Sequence, residues 1–294
     1  MKKFSLSYLF PVLMMLAMPL CALADDYERG DCDLDGAVDI ADVNMLINYI
    51  LTGSWESVDP NPEPQNVTFV LNGIEINMVY VEGGTFTMGA SGADMSAADN
   101  EFPAHVVTLS PYYICTTEVT QQLWRAVMGN NPSGNKNNML NPVETVSWTE
   151  CQTFITKLNA MTGQTFRLPT EAEWEFAARG GNKSQGYLYS GSNTIGNVAW
   201  YTSNSSNKTH PVATKAPNEL GLYDMSGNVL EWCKDRYGSY TSATAQDPQG
   251  PSSGSSRVVR GGKYGSSAAR CRVSARNDYS PELAYDVFGL RLAM

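Results

Sequence analysis

The chain opens on an apolar run from Phe4 to Leu20, preceded by the basic pair Lys2-Lys3. Ala22-Leu23-Ala24 then supplies small residues where a signal peptidase reads, which predicts a signal peptide over residues 1–24. The run is short for a membrane span of about 20 residues, and no basic stop-transfer cluster follows it. Helical spacing begins at Val43, with Leu46, Ile47 and Ile50 on the same face of a helix predicted to end at Leu51. In residues 53–66, Pro60, Pro62 and Pro64 alternate with polar residues and predict an extended spacer. Beyond it the 3–4 rhythm returns in only three clear places. Thr120 can cap a helix carrying Leu123, Trp124, Val127 and Met128 that stops at Gly129. Ser147 and Glu150 have capping-box spacing ahead of Cys151, Phe154, Ile155 and Leu158, with Gly163 as the stop. Thr170 and Glu173 repeat that spacing before Trp174, Ala177 and Ala178, and Gly180 ends the segment. The remainder, rich in Gly, Asn, Ser and Thr, reads as short strands and long ordered loops. Such loops need internal staples, ions or buried tryptophans, because their backbone must find hydrogen-bond partners.

Length and charge narrow the picture. A chain of 294 residues holds one large domain and a small module, and 43% hydrophobic content with six tryptophans supports a core. A net charge of −10 excludes a nucleic-acid partner, which wants a basic face, and disfavours anionic membrane surfaces. The leader implies a secreted protein, periplasmic or extracellular, in an oxidising compartment. Beyond the leader stand Cys32, Cys115, Cys151, Cys233 and Cys271, an odd number that leaves at least one thiol unpaired within the chain.

Residues 25–52 carry a calcium-loop pattern. Asp31, Asp33, Asp35, Asp39 and Asp42 fall at loop positions 1, 3, 5, 9 and 12 of an EF-hand-type loop. Gly36 sits at the sharp turn, and Ala37 offers its carbonyl. Five carboxylates and one carbonyl suit a hard cation that takes six or more oxygens. The closing Asp in place of Glu resembles dockerin modules, although those carry two repeats and this chain has one. The expected partner is a cohesin-like protein or an intramolecular surface that covers the apolar face of the helix.

Six peptides in residues 67–294 carry a second resemblance. They are MVYVEGGTFTMG (78–89), NPVETVSW (141–148), RLPTEAEWEFAARGG (167–181), GLYDMSGNVLEW (221–232), RGGKYGSSAARCR (260–272) and FGLRLA (288–293). In this order they resemble the formylglycine-generating enzyme family, or sulfatase-modifying-factor domains. The resemblance implies an α+β, loop-rich fold related to C-type lectin domains and held partly by calcium. It places one calcium on the side chains of Asp224 and Glu231 and the carbonyls of Gly227 and Val229. A second calcium would involve Asn197, Val198, Asn204 and Ser206. It also brings the segments of Cys233 and Cys271 together, which suggests a bridge between them.

At the reactive positions the chain departs from the family pattern. Oxidising members hold copper on two cysteines five residues apart and convert a substrate cysteine to formylglycine. Here Ser266 occupies the first position and Cys271 the second. A hydroxyl is a hard, neutral ligand and a poor substitute for a thiolate at Cu(I). Copper is therefore not expected, and a three-histidine iron site is excluded because the chain has only His105 and His210. Between Gly262 and Phe288 the layout resembles the variable proteins of diversity-generating retroelements. That resemblance implies a ligand surface of Tyr264, Ser266, Arg270, Tyr279 and Tyr285 facing a protein or glycan, a mixture that paratopes also use. The expectation is a non-catalytic, calcium-stabilised binding module; the alternative is an oxidoreductase acting on a protein cysteine.

Overall fold

The computed structural model describes residues 65–92 and 94–294, together with Val43, Leu46, Ile47, Tyr49 and Ile50. Those five positions are helical, inside the segment where helical spacing was read. The leader, the acidic loop from Asp31 to Asp42 and most of the spacer lie outside the described residues. The chain divides into two units, residues 1–65 and 66–294.

Strands β1 (Val67–Leu71) and β2 (Ile74–Val81) form an antiparallel hairpin. Its two-residue turn is Asn72-Gly73, both at positive φ (52° and 80°), the geometry that matches the twist of the strands. Strand β5 (Tyr112–Cys115) completes this first sheet against β2. A second sheet joins β3 (Gly84–Met88), β4 (His105–Leu109) and the short β7 (Ala245–Gln246). The third has the order β10-β6-β8-β9, from Phe288–Leu290, Leu230–Arg236, Arg257–Arg260 and Arg276–Tyr279; β10 runs parallel to β6.

All three helices read from the periodicity beyond the spacer are present. In α1 (Gln121–Met128) the Thr120 hydroxyl accepts from Leu123 N, and Gly129 ends the helix at φ 81°. Helix α2 (Trp148–Thr162) starts at the Ser147–Glu150 capping box and ends at Gly163, φ 72°. Helix α3 (Glu171–Ala178) has the Thr170–Glu173 box. A fourth, one-turn helix, α4 (Ile195–Val198), has too little sequence to show a rhythm. Helices α1 and α2 pack through Trp124 on Phe154, stacked with centroids 4.9 Å apart. A second core gathers Trp174 and Phe176 of α3 with Met225, Cys233 and Val258.

The staples of the loops differ in part from expectation. Tryptophans do serve, since Trp232 donates to the Val146 carbonyl at 3.0 Å. Arginine–carboxylate pairs, most of them buried, serve as well. Every residue of α3 is buried, including Glu171, Glu173 and Glu175. Glu171 pairs with Arg276 at 2.6 Å, Glu173 with Arg167 at 2.6 Å, and Glu175 with both Arg179 and Arg260. Arg272 reaches Asp94 at 2.6 Å and also Glu101, and Arg291 reaches Glu231 at 2.7 Å. Four of these arginines, Arg260, Arg272, Arg276 and Arg291, belong to the C-terminal segment and are almost fully buried. Charges so placed persist only when paired and hydrogen-bonded, so the pairs fix that segment to the body of the domain.

Candidate functional site

Strand β8 ends at Arg260 and the chain turns through Gly261 and Gly262, both at positive φ (93° and 76°). A Cβ on Gly262 would lie 2.7 Å from Cys271 Sγ and 2.8 Å from the Arg270 carbonyl, so only glycine lets the turn close there. The loop beyond is tied at each step. Tyr264 N donates to Asn228 O at 2.8 Å, and Ser205 Oγ donates to Tyr264 O at 2.8 Å. Ser266 Oγ accepts from Lys263 N at 3.1 Å, and its carbonyl accepts from Thr202 N at 3.1 Å. A 3-10 turn, Ala268–Cys271, then leads to Arg272.

Cys271 is fully buried, and burial pushes its thiol pKa up to about 12, so it is protonated at neutral pH. Cys115 and Cys151 lie in the helix-packed core, Cys233 lies in the core around Trp174, and all are free thiols. The suggested Cys233–Cys271 bridge is therefore not formed: Cys271 belongs to a third small cluster with Tyr189 and Val198. Among the described residues no second sulfur stands beside it. Ser266, expected at the reactive position, serves as a hydrogen-bond acceptor for the loop backbone.

Above this turn opens a cleft of about 240 Å³. Ser266, Arg270 and Tyr279 line it, so three of the five expected ligand-surface residues converge. Lys263, one of the assorted residues of the Gly262–Phe288 stretch, joins them, as does Asn277, which no pattern in the sequence singled out. The remaining two residues stand elsewhere. Tyr264 is buried and donates its hydroxyl to Asp286 at 3.1 Å, a scaffold role; burial and the neighbouring Asp286 push that hydroxyl up to about 12. Tyr285 is 53% exposed and leans on Phe288.

Residues 72–294 match the profile of the Sulfatase-modifying factor enzyme 1-like domain. The chain belongs to this family. Among its relatives is the chaperone protein LppX of Paenibacillus barcinonensis, 36% identical over 67% of this chain and 82% of that protein. The formylglycine-generating enzyme of Streptomyces coelicolor is 30% identical over 73% of this chain and 88% of that protein. The inactive C-alpha-formylglycine-generating enzyme 2 of Bos taurus is also 30% identical, over 76% of this chain and 89% of its own length. Among solved structures, Treponema denticola variable protein 1 superposes with a TM-score of 0.72 at 36% identity, covering 79% of this chain and 99% of its own.

Two residues of the family's expected calcium set respond differently to a test of fit. Asp224 is 2% exposed and held at φ 58°. Its Oδ2 accepts from Ala213 N at 2.8 Å, whereas its Oδ1 is buried without a hydrogen-bond partner. A hard cation would satisfy that oxygen, so Asp224 fits. Glu231 already receives Trp174 Nε1 at 2.7 Å and the Arg291 guanidinium at 2.7 Å, which leaves it little free capacity. Gly227 N donates to the Gly261 carbonyl, which joins the turn of this set to the floor of the cleft. Glu118, unmarked by any sequence motif, adds a third buried carboxylate that accepts from Asn228 Nδ2 and Val229 N. Burial, then the charges of Asp224 and Glu231, push its pKa well above the usual range; burial raises that of Asp224 to about 6. Among the described residues no three His, Cys, Asp or Glu side chains are arranged to hold a metal, so an ion at Asp224 would depend on backbone carbonyls.

In the expected second set, Asn204 closes its own turn, accepting from Tyr201 N and donating to Ala199 O, each at 2.9 Å. Asn197 gives its carbonyl to Ala216 N, Val198 is buried, and Ser206 is exposed at φ 54°. The two histidines stand apart and pack on aromatic rings. His105 packs on Tyr240, and His210 stacks on Trp200 with centroids 3.8 Å apart.

Proposed function

We propose that this protein is an exported, non-catalytic member of its family that binds a ligand, a protein in preference to a glycan, on the C-terminal surface around Ser266, Arg270 and Tyr279. One observation carries the reading. The expected reactive position holds a buried, unpaired Cys271 with a backbone-bonded Ser266 where a second thiolate would be needed. Two relatives lend support: one named inactive, and a chaperone whose name favours a protein ligand. The structural likeness to a variable protein supports a display role for the C-terminal segment. Its scaffold is held by the buried arginines, so side chains at the rim can differ without disturbing the fold.

Copper chemistry is the direct test. Cu(I) titrated into the purified protein with a cysteine-containing peptide and dioxygen should give no copper-dependent conversion of the peptide. Formation of formylglycine would overturn the reading in favour of the oxidoreductase alternative.

Calcium belongs to the proposal as the stabilising ion, at the Asp31–Asp42 loop and at Asp224. Calorimetric titration should show two classes of binding event: Asp33→Ala with Asp35→Ala should remove one, and Asp224→Ala the other. An unchanged isotherm in either variant would remove that site from the proposal.

A further inference from the structure

The cleft has a charge character opposite to that of the protein. The chain carries a net charge of −10, yet no aspartate or glutamate lines the cleft. Four cationic residues do: Arg260, Lys263, Arg270 and Arg276. Two of them are neutralised from below, Arg260 by Glu175 and Arg276 by Glu171. The Lys263 ammonium and the exposed Arg270 guanidinium have no acidic partner among the described residues. Even the buried Arg260 keeps its Nε without an acceptor. The wall is completed by Tyr279, whose ring rests on Phe288 with centroids 4.7 Å apart.

The chemistry of these groups is one-sided. Lysine and arginine only donate hydrogen bonds, up to three from one and five from the other. Nearby acceptors are already engaged: Asn277 Oδ1 takes Asp278 N, and Ser266 Oγ takes Lys263 N. Neutral sugar hydroxyls need acceptors as well as donors, and this cleft offers few. An anion with several lone pairs satisfies unpaired donors, and charge-assisted bonds are about twice as strong as neutral ones. The volume, about 240 Å³, suits one side chain better than a sugar chain.

Resting on the binding reading above, we infer that the cleft selects an acidic side chain of a protein ligand, with Lys263 and Arg270 holding its carboxylate. Arg270 is exposed, so substituting it leaves the fold intact, and the surrounding protein repels anions. Capture of an acidic peptide must then come from these two cations.

The test uses fluorescein-labelled hexaglutamate and hexaglutamine, both C-terminally amidated, with fluorescence anisotropy on the whole protein. Hexaglutamate should bind at least about tenfold more tightly than hexaglutamine, and the difference should shrink as salt rises. Lys263→Gln with Arg270→Gln should abolish that preference while the melting temperature stays unchanged. Equal binding of both peptides, or an undiminished preference in the double variant, would overturn the inference. So would capture of a sulfated heparin fragment but not hexaglutamate. Failure here with a negative copper assay removes the acidic ligand and leaves the binding reading intact. Copper-dependent conversion removes the binding reading whatever hexaglutamate does.

Discussion

Replacing Glu175 by alanine is expected to cost this domain about 3–5 kcal/mol, because it leaves a buried charge without its counter-ion. The carboxylate lies at the centre of α3 with its side chain fully inaccessible. One oxygen accepts from Arg179 at 2.6 Å and from Gly89 N at 2.8 Å, and the other meets Arg260, itself fully buried. Arg260 is bonded further to the carbonyls of Val273, Ser274 and Ala275, so the loss would spread into the loop that borders the cleft. The less buried pair Arg167–Glu173 makes the contrast. There the arginine side chain is 32% accessible, and its partner's removal should cost far less. For a domain of this size the expected loss at Glu175 corresponds to a fall of roughly 6–20 °C in melting temperature. Urea denaturation of Glu175→Ala and Glu175→Gln reads the effect directly. A loss below about 1 kcal/mol in the alanine variant would show that the pair does not hold the segment.

The pH dependence of the same group has a definite sign. Burial opposes ionisation of Glu175, but the charges of Arg179 and Arg260 and the Gly89 N–H outweigh it and hold the pKa below 4.5. Its folded value is thus depressed relative to the unfolded chain. The stabilisation is present above about pH 4.5 and is lost as pH falls through the folded pKa. Glutamine, which cannot ionise, should show no such acid-side loss.

What was legible in the sequence follows from how local each signal is. The boxes at Ser147–Glu150 and Thr170–Glu173, and the stops at Gly129 and Gly163, are each written within one helical turn of the boundary they set. The turn at Asn72-Gly73 is equally local, although it was read only as part of a region of short strands. The glutamates of α3 were not legible as buried. Spaced along a short helix they look like a solvated face, and their partners lie far along the chain: Arg276 is 105 residues from Glu171, and Arg260 is 85 from Glu175. The available signal was indirect: one helix carrying Trp174, Phe176 and three acids has no face left for water. The candidate site divides in the same way. Ser266 and Lys263 near Cys271 could be read from an ordered motif, whereas Asn277 reaches the cleft only because β8 and β9 pair. Tyr264, in the same motif as Ser266, points its hydroxyl to Asp286, and no spacing rule in a loop predicts that.

Converting Asp235 to asparagine should stabilise the protein above neutral pH, by on the order of 2–4 kcal/mol. Asp235 is 4% exposed on β6 and accepts from Glu171 N at 3.0 Å. Burial, then the charge of Glu171, pushes its pKa up to about 7 from 3.8. Here the shift is upward for an acid, so the linkage runs opposite to that of Glu175. Between about pH 3.8 and pH 7 the folded protein retains a proton that the unfolded chain releases. Stability therefore falls as pH rises through that window and levels off above it. Asparagine keeps an oxygen to accept from Glu171 N and has no proton to lose, so its contribution does not change with pH. Melting curves of Asp235→Asn and the parent protein should coincide near pH 4 and separate progressively to about pH 8, with the variant more stable. A variant less stable than the parent at pH 8 would mean that the ionised carboxylate is compensated in place. The groups that favour the ionised form are the Glu171 backbone N–H and the charge of Lys234, and that compensation would act through them.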